Sequence, residues 1–205
     1  VSFDTICGEV FVKKYERRES RGTPSNPKVK GAKNMKKYES RLVENQFRFH
    51  VDTVNFRKDL GKLSPDDEIV IAEKIHGSSA IVGRLLVKRR LNWKEKLAKF
   101  FGCKVVETEY GSIHASRTVI KSKNFPSGPG YYGEDIWSIV ERQIYPLLDD
   151  GITLYGEIYG FTPSGKAIQP KYHYGCKPGQ LDFFAYRGTI TLPDGRVYEM
   201  SQAQL

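Results

Sequence analysis

The stretch that most constrains this chain covers residues 69–90, IVIAEKIHGSSAIVGRLLVKRR, in which two apolar runs flank a short polar segment. The runs at 69–72 and 80–87 have the length and composition of strands, so we predict two strands that pair as neighbours. Lys74 lies in the polar segment between them. Lysine is seldom buried without a partner, so Lys74 either points to water in a plain turn or serves as a nucleophile. The stretch by itself favours the solvated turn.

The charge balance narrows the class of partner. The chain carries 33 Lys and Arg against 24 Asp and Glu, a net charge of +9. Such a surplus is typical of proteins that bind polyanions, nucleic acid first, although a merely solvated basic surface gives the same count. No apolar run reaches the roughly 18–20 residues of a membrane span. Three distant cysteines offer neither a disulfide framework nor zinc-ligand spacing. We therefore expect an intracellular protein, in the cytoplasm or nucleus, with no membrane association.

The rest of the chain mixes strand-like and helix-like patterns. Strands are predicted, in chain order, at 105–110, 113–120, 152–160 and 181–186, followed by a hairpin over 189–198. Helices are predicted at 92–101 and at 134–148. Asn92, the first residue of the first range, can cap that helix. The first helix carries an apolar stripe of Trp93, Leu97, Phe100 and Phe101, which predicts packing against the core rather than a binding face.

Four separated stretches hold residues that carry chemistry. In chain order they are EKIHG at 73–77, SR at 116–117, YGEIYG at 155–160 and DFFAY at 182–186. In order and type they resemble motifs I, Ia, III and IIIa of the covalent nucleotidyltransferases, the superfamily of ATP- and NAD-dependent ligases and mRNA capping enzymes. The histidine of KIHG resembles the RNA-ligase branch. With ENQFRFHVDT at 44–53, the chain looks closest to RNA ligases of the Naegleria type, and the resemblance covers roughly residues 44–190.

The resemblance implies a fold and a domain plan. The fold would be α+β, an ATP-grasp-like adenylation domain of the DNA and RNA ligase kind, with antiparallel sheets flanked by helices. Residues 1–20 would be the tail of a preceding module, an OB fold in that subgroup, and 21–38 a basic linker. Residues 39–205 would form the nucleotidyltransferase domain. Motif IV, a Glu-Gly strand, and motif V, a Lys-x-Lys strand, have no convincing copy before Leu205. We therefore expect the C-terminal part of the domain to be missing, and this fragment to be inactive by itself.

The resemblance also implies an activity, an ATP-dependent RNA ligase that passes through a lysyl-AMP intermediate. Lys74 would attack the α-phosphate of ATP, which an amine can do only when unprotonated. Glu73 would accept a hydrogen bond from the adenine amino group. Gly77 would let the backbone pass close to the nucleotide. The remaining nucleotide contacts expected from this loop and the strand after it are Ile75, His76 and Ser79.

Three residues from the later motifs complete the implied site. Arg117 would lie near the ribose and the RNA 3′ end, since a guanidinium fork suits phosphate and hydroxyl oxygens. Glu157 would contact the ribose or a water bound to Mg²⁺ or Mn²⁺, and Tyr186 would stack on adenine. Phe183 and Phe184, in the same strand as Tyr186, are expected to be core residues.

Two other functions stay open at this point. The first is a DNA ligase or a capping-type guanylyltransferase, which would use the same lysine chemistry. The second is a non-catalytic nucleic-acid-binding relative, which the missing motifs favour. In the ligase interpretation the partner is RNA with 5′-phosphate and 3′-OH ends, tracked by the basic run at 88–90 and by the linker lysines. The protein is expected to act as a monomer.

Overall fold

The structure, a computed structural model, describes residues 5–6, 9–10, 41–51, 53–121 and 131–205. The chain separates into two compact units, Val1–Ala32 and Lys33–Leu205. In the first unit, strand β1 (Thr5–Ile6) pairs antiparallel with β2 (Glu9–Val10). The predicted linker at 21–38 and the predicted start of the adenylation domain at residue 39 lie outside the described residues.

The second unit is α+β, the class predicted from the sequence. Its strands are β3 (Ser78–Lys88), β4 (Thr108–Ala115), β5 (Ile120–Lys121), β6 (Ile152–Gly160), β7 (Leu181–Thr191) and β8 (Val197–Glu199). They form one six-stranded antiparallel sheet in the order β5-β4-β3-β6-β7-β8. Its helices are α1 (Phe56–Asp59), α2 (Trp93–Phe100) and α3 (Ile136–Ile144), with 3₁₀ turns at Leu60–Lys62 and Tyr145–Leu147.

Helix α3 covers one face of the sheet and builds the main core. The side chain of Asp135 caps it by accepting the backbone N–H of Ser138 at 3.2 Å. Its fully buried apolar residues, Ile136 and Val140, pack in one core with residues of β3 and β6. Full burial of one such side chain contributes about 1.5–3 kcal/mol. The prediction of a helix over 134–148 is confirmed, with the last turn drawn out into 3₁₀ geometry.

The opposite face of the sheet holds two smaller apolar clusters. Ile81 and Tyr155 lie on this face, and Phe47, from the segment before α1, packs against them. The Tyr155 hydroxyl donates to the backbone carbonyl of Arg48 at 3.1 Å, which ties the same segment to β6. The segment before α1 therefore covers part of this face.

The predicted pairing of the two runs around Lys74 is wrong. The run at 80–87 lies within β3, but the run at 69–72 is not a strand. Both edges of β3 are already occupied, one by β4 and the other by β6 as far as Gly83 and then by backbone bonds from Gly151 and residues 41–43. Instead the run at 69–72 is exposed, with Ile71 at 88% exposure, and lines an open apolar groove of about 740 Å³.

The two strands predicted at 105–110 and 113–120 are mostly one strand. Gly111 and Ser112, which read as a break, lie inside β4. Gly111 stands opposite Leu85, and a Cβ there would come within 2.7 Å of the Val87 side chain, so the glycine admits a close approach rather than a turn. The strand predicted at 181–186 is confirmed and continues to Thr191, where the predicted hairpin leads into β8.

Helix α2 forms where predicted but does not pack as predicted. Asn92 caps it in a capping box with Glu95. Its apolar stripe faces solvent, with Trp93 71% and Phe100 82% exposed, so the predicted packing against the core is wrong. Within the described parts of the chain, no helix has the length and apolar content needed to cross a bilayer.

Candidate nucleotide-binding site

A pocket of about 500 Å³ opens on the face of the sheet opposite α3. Its lining comes from five separate parts of the chain: His50, Thr53, Glu73, Lys74, Ile75, Arg117, Glu157, Phe184 and Tyr186. Ligand pockets for small molecules are typically about 300–1,000 Å³, so a nucleotide-sized ligand suits this volume. Each of the four motif stretches contributes at least one residue to this lining, and Arg117 is the one from the stretch at 116–117.

The floor of the pocket is formed by neighbouring residues of β6 and β7, next to β3. Ser79 of β3 stands opposite Glu157 of β6, which stands opposite Phe184 of β7. Residues paired in this way lie on the same face of a sheet. The register shifts next to Gly156, where a Cβ would meet the Phe184 carbonyl oxygen at 2.3 Å, so glycine lets β6 and β7 approach closely.

Glu157 is the electrostatic centre of the pocket. Burial raises the pKa of this carboxyl, while the positive charges of Lys74 and Arg117 act to lower it. Both cations therefore lie close enough to Glu157 to influence its titration. The pocket combines a partly desolvated carboxylate, which can accept hydrogen bonds, with two positive groups that suit phosphate oxygens.

Tyr186 forms an aromatic wall beside that carboxylate. Burial raises the pKa of its phenol, and the charge of Glu157 raises it further, while the Ser79 hydroxyl and Arg117 act to lower it. The phenol therefore stays neutral at physiological pH. Its ring lies 5.6 Å from the His50 ring in an edge-on arrangement. Phe184, 40% exposed, supplies a second aromatic side chain to the same pocket.

The loop that carries Lys74 is anchored after the lysine rather than at it. The backbone N–H of His76 donates to the Tyr174 hydroxyl at 2.9 Å, and the His76 ring lies 4.5 Å from that of Tyr172. At Gly77 a Cβ would come within 2.1 Å of the Ile158 carbonyl oxygen. The loop thus presses against the backbone of β6, and a glycine is required there by contact with the sheet. Lys74 itself is exposed, free to reach into the pocket.

The structure brings most of the predicted site residues together. Those that line the pocket are Glu73, Lys74, Ile75, Arg117, Glu157 and Tyr186. Three predicted residues lie beside the pocket without lining it. His76 contacts the tyrosines described above, Gly77 abuts β6, and Ser79 lies next to Glu157 in the sheet.

Three pocket residues were not predicted as site residues. Phe184 was expected in the core, which is wrong, whereas Phe183 does pack with the α3 core as expected. Neighbouring residues of a strand face opposite sides, so the two phenylalanines could not share one core. His50 and Thr53 also line the pocket. Their only signal in the sequence was their position within the stretch at 44–53 that carries the subgroup resemblance.

The expected divalent metal can be tested against the oxygen donors present. Two carboxylates line the pocket, Glu73 and Glu157, and among the described residues no group of three or more His, Cys, Asp or Glu side chains is placed to hold an ion. Mg²⁺ is commonly held by one or two carboxylates together with substrate phosphates. The donors present fit an ion shared with a bound nucleotide, with Glu157 as the protein ligand, directly or through water, and not an all-protein cage.

No protein-family model matches the chain, and neither a curated protein nor a solved structure matches it. The functional interpretation therefore depends on the order of the four stretches in the sequence and on the pocket that their residues line.

Proposed function

We propose that this protein is an ATP-dependent RNA ligase with the covalent nucleotidyltransferase fold, and that Lys74 carries AMP during the reaction. The observation that carries the proposal is convergence. Lys74, Arg117, Glu157 and Tyr186 are far apart in sequence yet line one pocket of about 500 Å³. Structural ion pairs and core aromatics have no reason to meet in the motif order of one enzyme superfamily and to share an open cavity.

The pocket offers a contact for each part of ATP. Tyr186 and Phe184 present aromatic side chains to a purine, and Glu73 offers an acceptor for its amino group. Glu157 would accept a hydrogen bond from the ribose. Lys74 and Arg117 supply positive charge for the phosphates, and both already interact electrostatically with Glu157. A divalent ion held by Glu157 and the phosphates would neutralise further charge.

The reaction would proceed in three displacements at phosphorus. The unprotonated Nζ of Lys74 attacks the α-phosphorus of ATP, forming a P–N bond as pyrophosphate leaves and the amine loses a proton. An oxygen of the RNA 5′-phosphate then attacks the lysyl-AMP, which breaks the P–N bond and returns the amine to Lys74. Finally the 3′-OH attacks the activated 5′-phosphorus, joining the strands and releasing AMP.

Covalent labelling tests the proposal. The protein, expressed at the full length that its gene encodes, is incubated with ATP labelled at the α-phosphate and with Mg²⁺ or Mn²⁺, then separated under denaturing conditions. We expect label on the wild type and none on Lys74→Ala. Lys177→Ala removes an exposed lysine outside the pocket and should label normally.

Other results would redirect or reject the proposal. Label from GTP but not from ATP would favour a capping-type guanylyltransferase. Equal labelling of the wild type and Lys74→Ala would reject Lys74 as the nucleophile. A wild type that takes no label from either nucleotide would favour a non-catalytic nucleic-acid-binding relative. Sealing of 5′-phosphorylated RNA against the same DNA sequence then decides which strand is joined.

A further inference from the structure

Helix α2 shows its apolar side to solvent, the reverse of an ordinary amphipathic helix. Trp93, Leu97 and Phe100 follow one another at helical spacing, and Phe101 extends the stripe at the C-terminal end. Their exposures are 71%, 49%, 82% and 72%. We call these four residues the α2 platform. A contiguous exposed patch of large apolar side chains indicates an interaction surface.

Ion pairs fix the orientation of the helix. Glu95 pairs with Arg89, and Lys99 pairs with Glu107 at 2.7 Å. Arg89 and Glu107 belong to the chain that leaves β3 and enters β4, and the two segments are joined there by the bond from the Arg89 backbone N–H to the Glu107 carbonyl at 2.8 Å. At 100° per residue, Glu95 and Lys99 lie on the side of α2 away from the platform. The polar side is thus paired with the segments next to β3 and β4, and the platform faces outward.

Positive charge surrounds the platform. On the helix, Lys94 and Lys96 lie at opposite edges of the apolar stripe, and Arg90 and Lys104 flank the helix in the chain. In the region that the structure describes, none of these four cations forms an ion pair with a carboxylate. The ammonium of Lys94 lies 5.8 Å from the centre of the Trp93 ring. The two acidic residues of the helix and its exit, Glu95 and Glu107, are both already paired.

We propose that the α2 platform binds a single-stranded polynucleotide. Exposed rings offer stacking surfaces to bases of any sequence, and cations along both edges of the stripe suit the phosphates of a strand that runs over it. A second copy of the chain would bring like charges together. The inference does not depend on chemistry at Lys74, because α2 contributes no residue to the pocket.

The two tryptophans of the chain make the experiment selective. Trp93 is 71% exposed, whereas Trp137, a residue of α3, is only 8% exposed, so a quencher that acts on the surface reports on Trp93. Single-stranded RNA of mixed sequence is titrated into the protein, and tryptophan fluorescence and the anisotropy of a dye on the RNA are followed together. We expect quenching that saturates in step with the anisotropy. In Trp93→Phe the quenching should disappear while binding persists.

Variants separate stacking from charge. Because stacking contributes about 1–3 kcal/mol per base, Trp93→Ala should weaken RNA binding by about fivefold or more, and adding Phe100→Ala should weaken it further. Lys94→Glu with Lys96→Glu removes two phosphate contacts, so the slope of log K against log salt should become shallower by about 1.4. Tyr198→Ala, an exposed aromatic on β8 at the opposite edge of the sheet, should bind like the wild type.

Three outcomes would overturn the inference. The first is RNA binding that Trp93→Ala and the double charge reversal leave unchanged. The second is quenching and sedimentation with phosphatidylserine vesicles but not with RNA, which would make the platform a membrane-surface element. The third is a concentration-dependent dimer abolished by Trp93→Ala, which would make it a self-association surface. Lys74 labelling serves as an independent control, since platform variants should label normally if both proposals hold.

Discussion

Replacing Gly77 by alanine is the sharpest test of how the Lys74 loop is held. The new Cβ would lie 2.1 Å from the Ile158 carbonyl oxygen and 2.9 Å from its carbon. Heavy atoms in contact prefer about 3.5 Å, so the loop must retreat by roughly 1 Å or more. The obstacle is sheet backbone, which no side-chain rotation can remove. Lys74, three residues earlier, would be displaced from the pocket along with the loop.

The expected size of the effect follows from that displacement. Overpacking of this kind costs about 1–3 kcal/mol, which for a chain of this length lowers Tm by about 2–12 °C. A 1 Å misplacement of a reacting group can cost about a hundredfold in rate, so the rate of Lys74 labelling should fall by that order. Thermal unfolding followed by circular dichroism and a labelling time course measure the two effects.

Gly61→Ala is the matched control. No atom lies within 4 Å of a Cβ at Gly61, so both Tm and labelling should match the wild type. If Gly77→Ala also matched the wild type in both assays, the close contact between the loop and β6 would be refuted. A fall in Tm without labelling in any protein would support the contact while rejecting the nucleophile.

Three further substitutions probe the pocket. Burial raises the pKa of Glu157 above its ordinary 4.5. Its contribution to the free energy of unfolding is therefore complete at a pH below the pKa of the unfolded chain, and it is lost as the pH rises through the pKa of the folded protein. Glu157→Gln should therefore be more stable than the wild type at pH 7 in urea titrations, with no such gain at about pH 4. Labelling should be lost in this variant. Lower stability than the wild type at pH 7 would contradict the reasoning. Tyr174→Phe removes the acceptor for the His76 N–H and should lower Tm by about 1–6 °C. An unchanged Tm would contradict a stabilising role for this hydrogen bond. Tyr186→Ala should weaken AMP binding by about two- to tenfold in calorimetry while Tyr186→Phe does not, and equal affinities would argue against stacking.

The elements that sequence predicted well are those specified locally. Helix α3 is set by an apolar stripe and by Asp135 at its start, and α2 by the Asn92 capping box, all within a few residues of the helix they control. The strand at 152–160 also appears where its apolar pattern placed it. Each of these signals acts over a distance shorter than the element itself.

The predictions that failed depended on distant residues. The run at 69–72 has strand composition, but later segments of the chain, chiefly β4 and β6, pair with the two edges of β3. The α2 stripe was predicted to be a core face, because the helical spacing of apolar residues does not show which side of the helix packs against the rest of the protein. That choice is made by Arg89 and Glu107, which lie outside the helix. The site shows the same division, since Lys74 and Glu157 were predicted as site residues from their own short stretches, whereas His50 joins the pocket only through the fold.

The most direct test of the central claim is the mass of the peptide that contains Lys74 after incubation with ATP and a divalent ion. We expect that this peptide alone gains one AMP, through a P–N bond that acid breaks and base does not. The gain should disappear when pyrophosphate is added in excess, because the first step is reversible. An AMP adduct on any other residue, or a Lys74 peptide of unchanged mass while ATP is converted to AMP, would contradict this expectation.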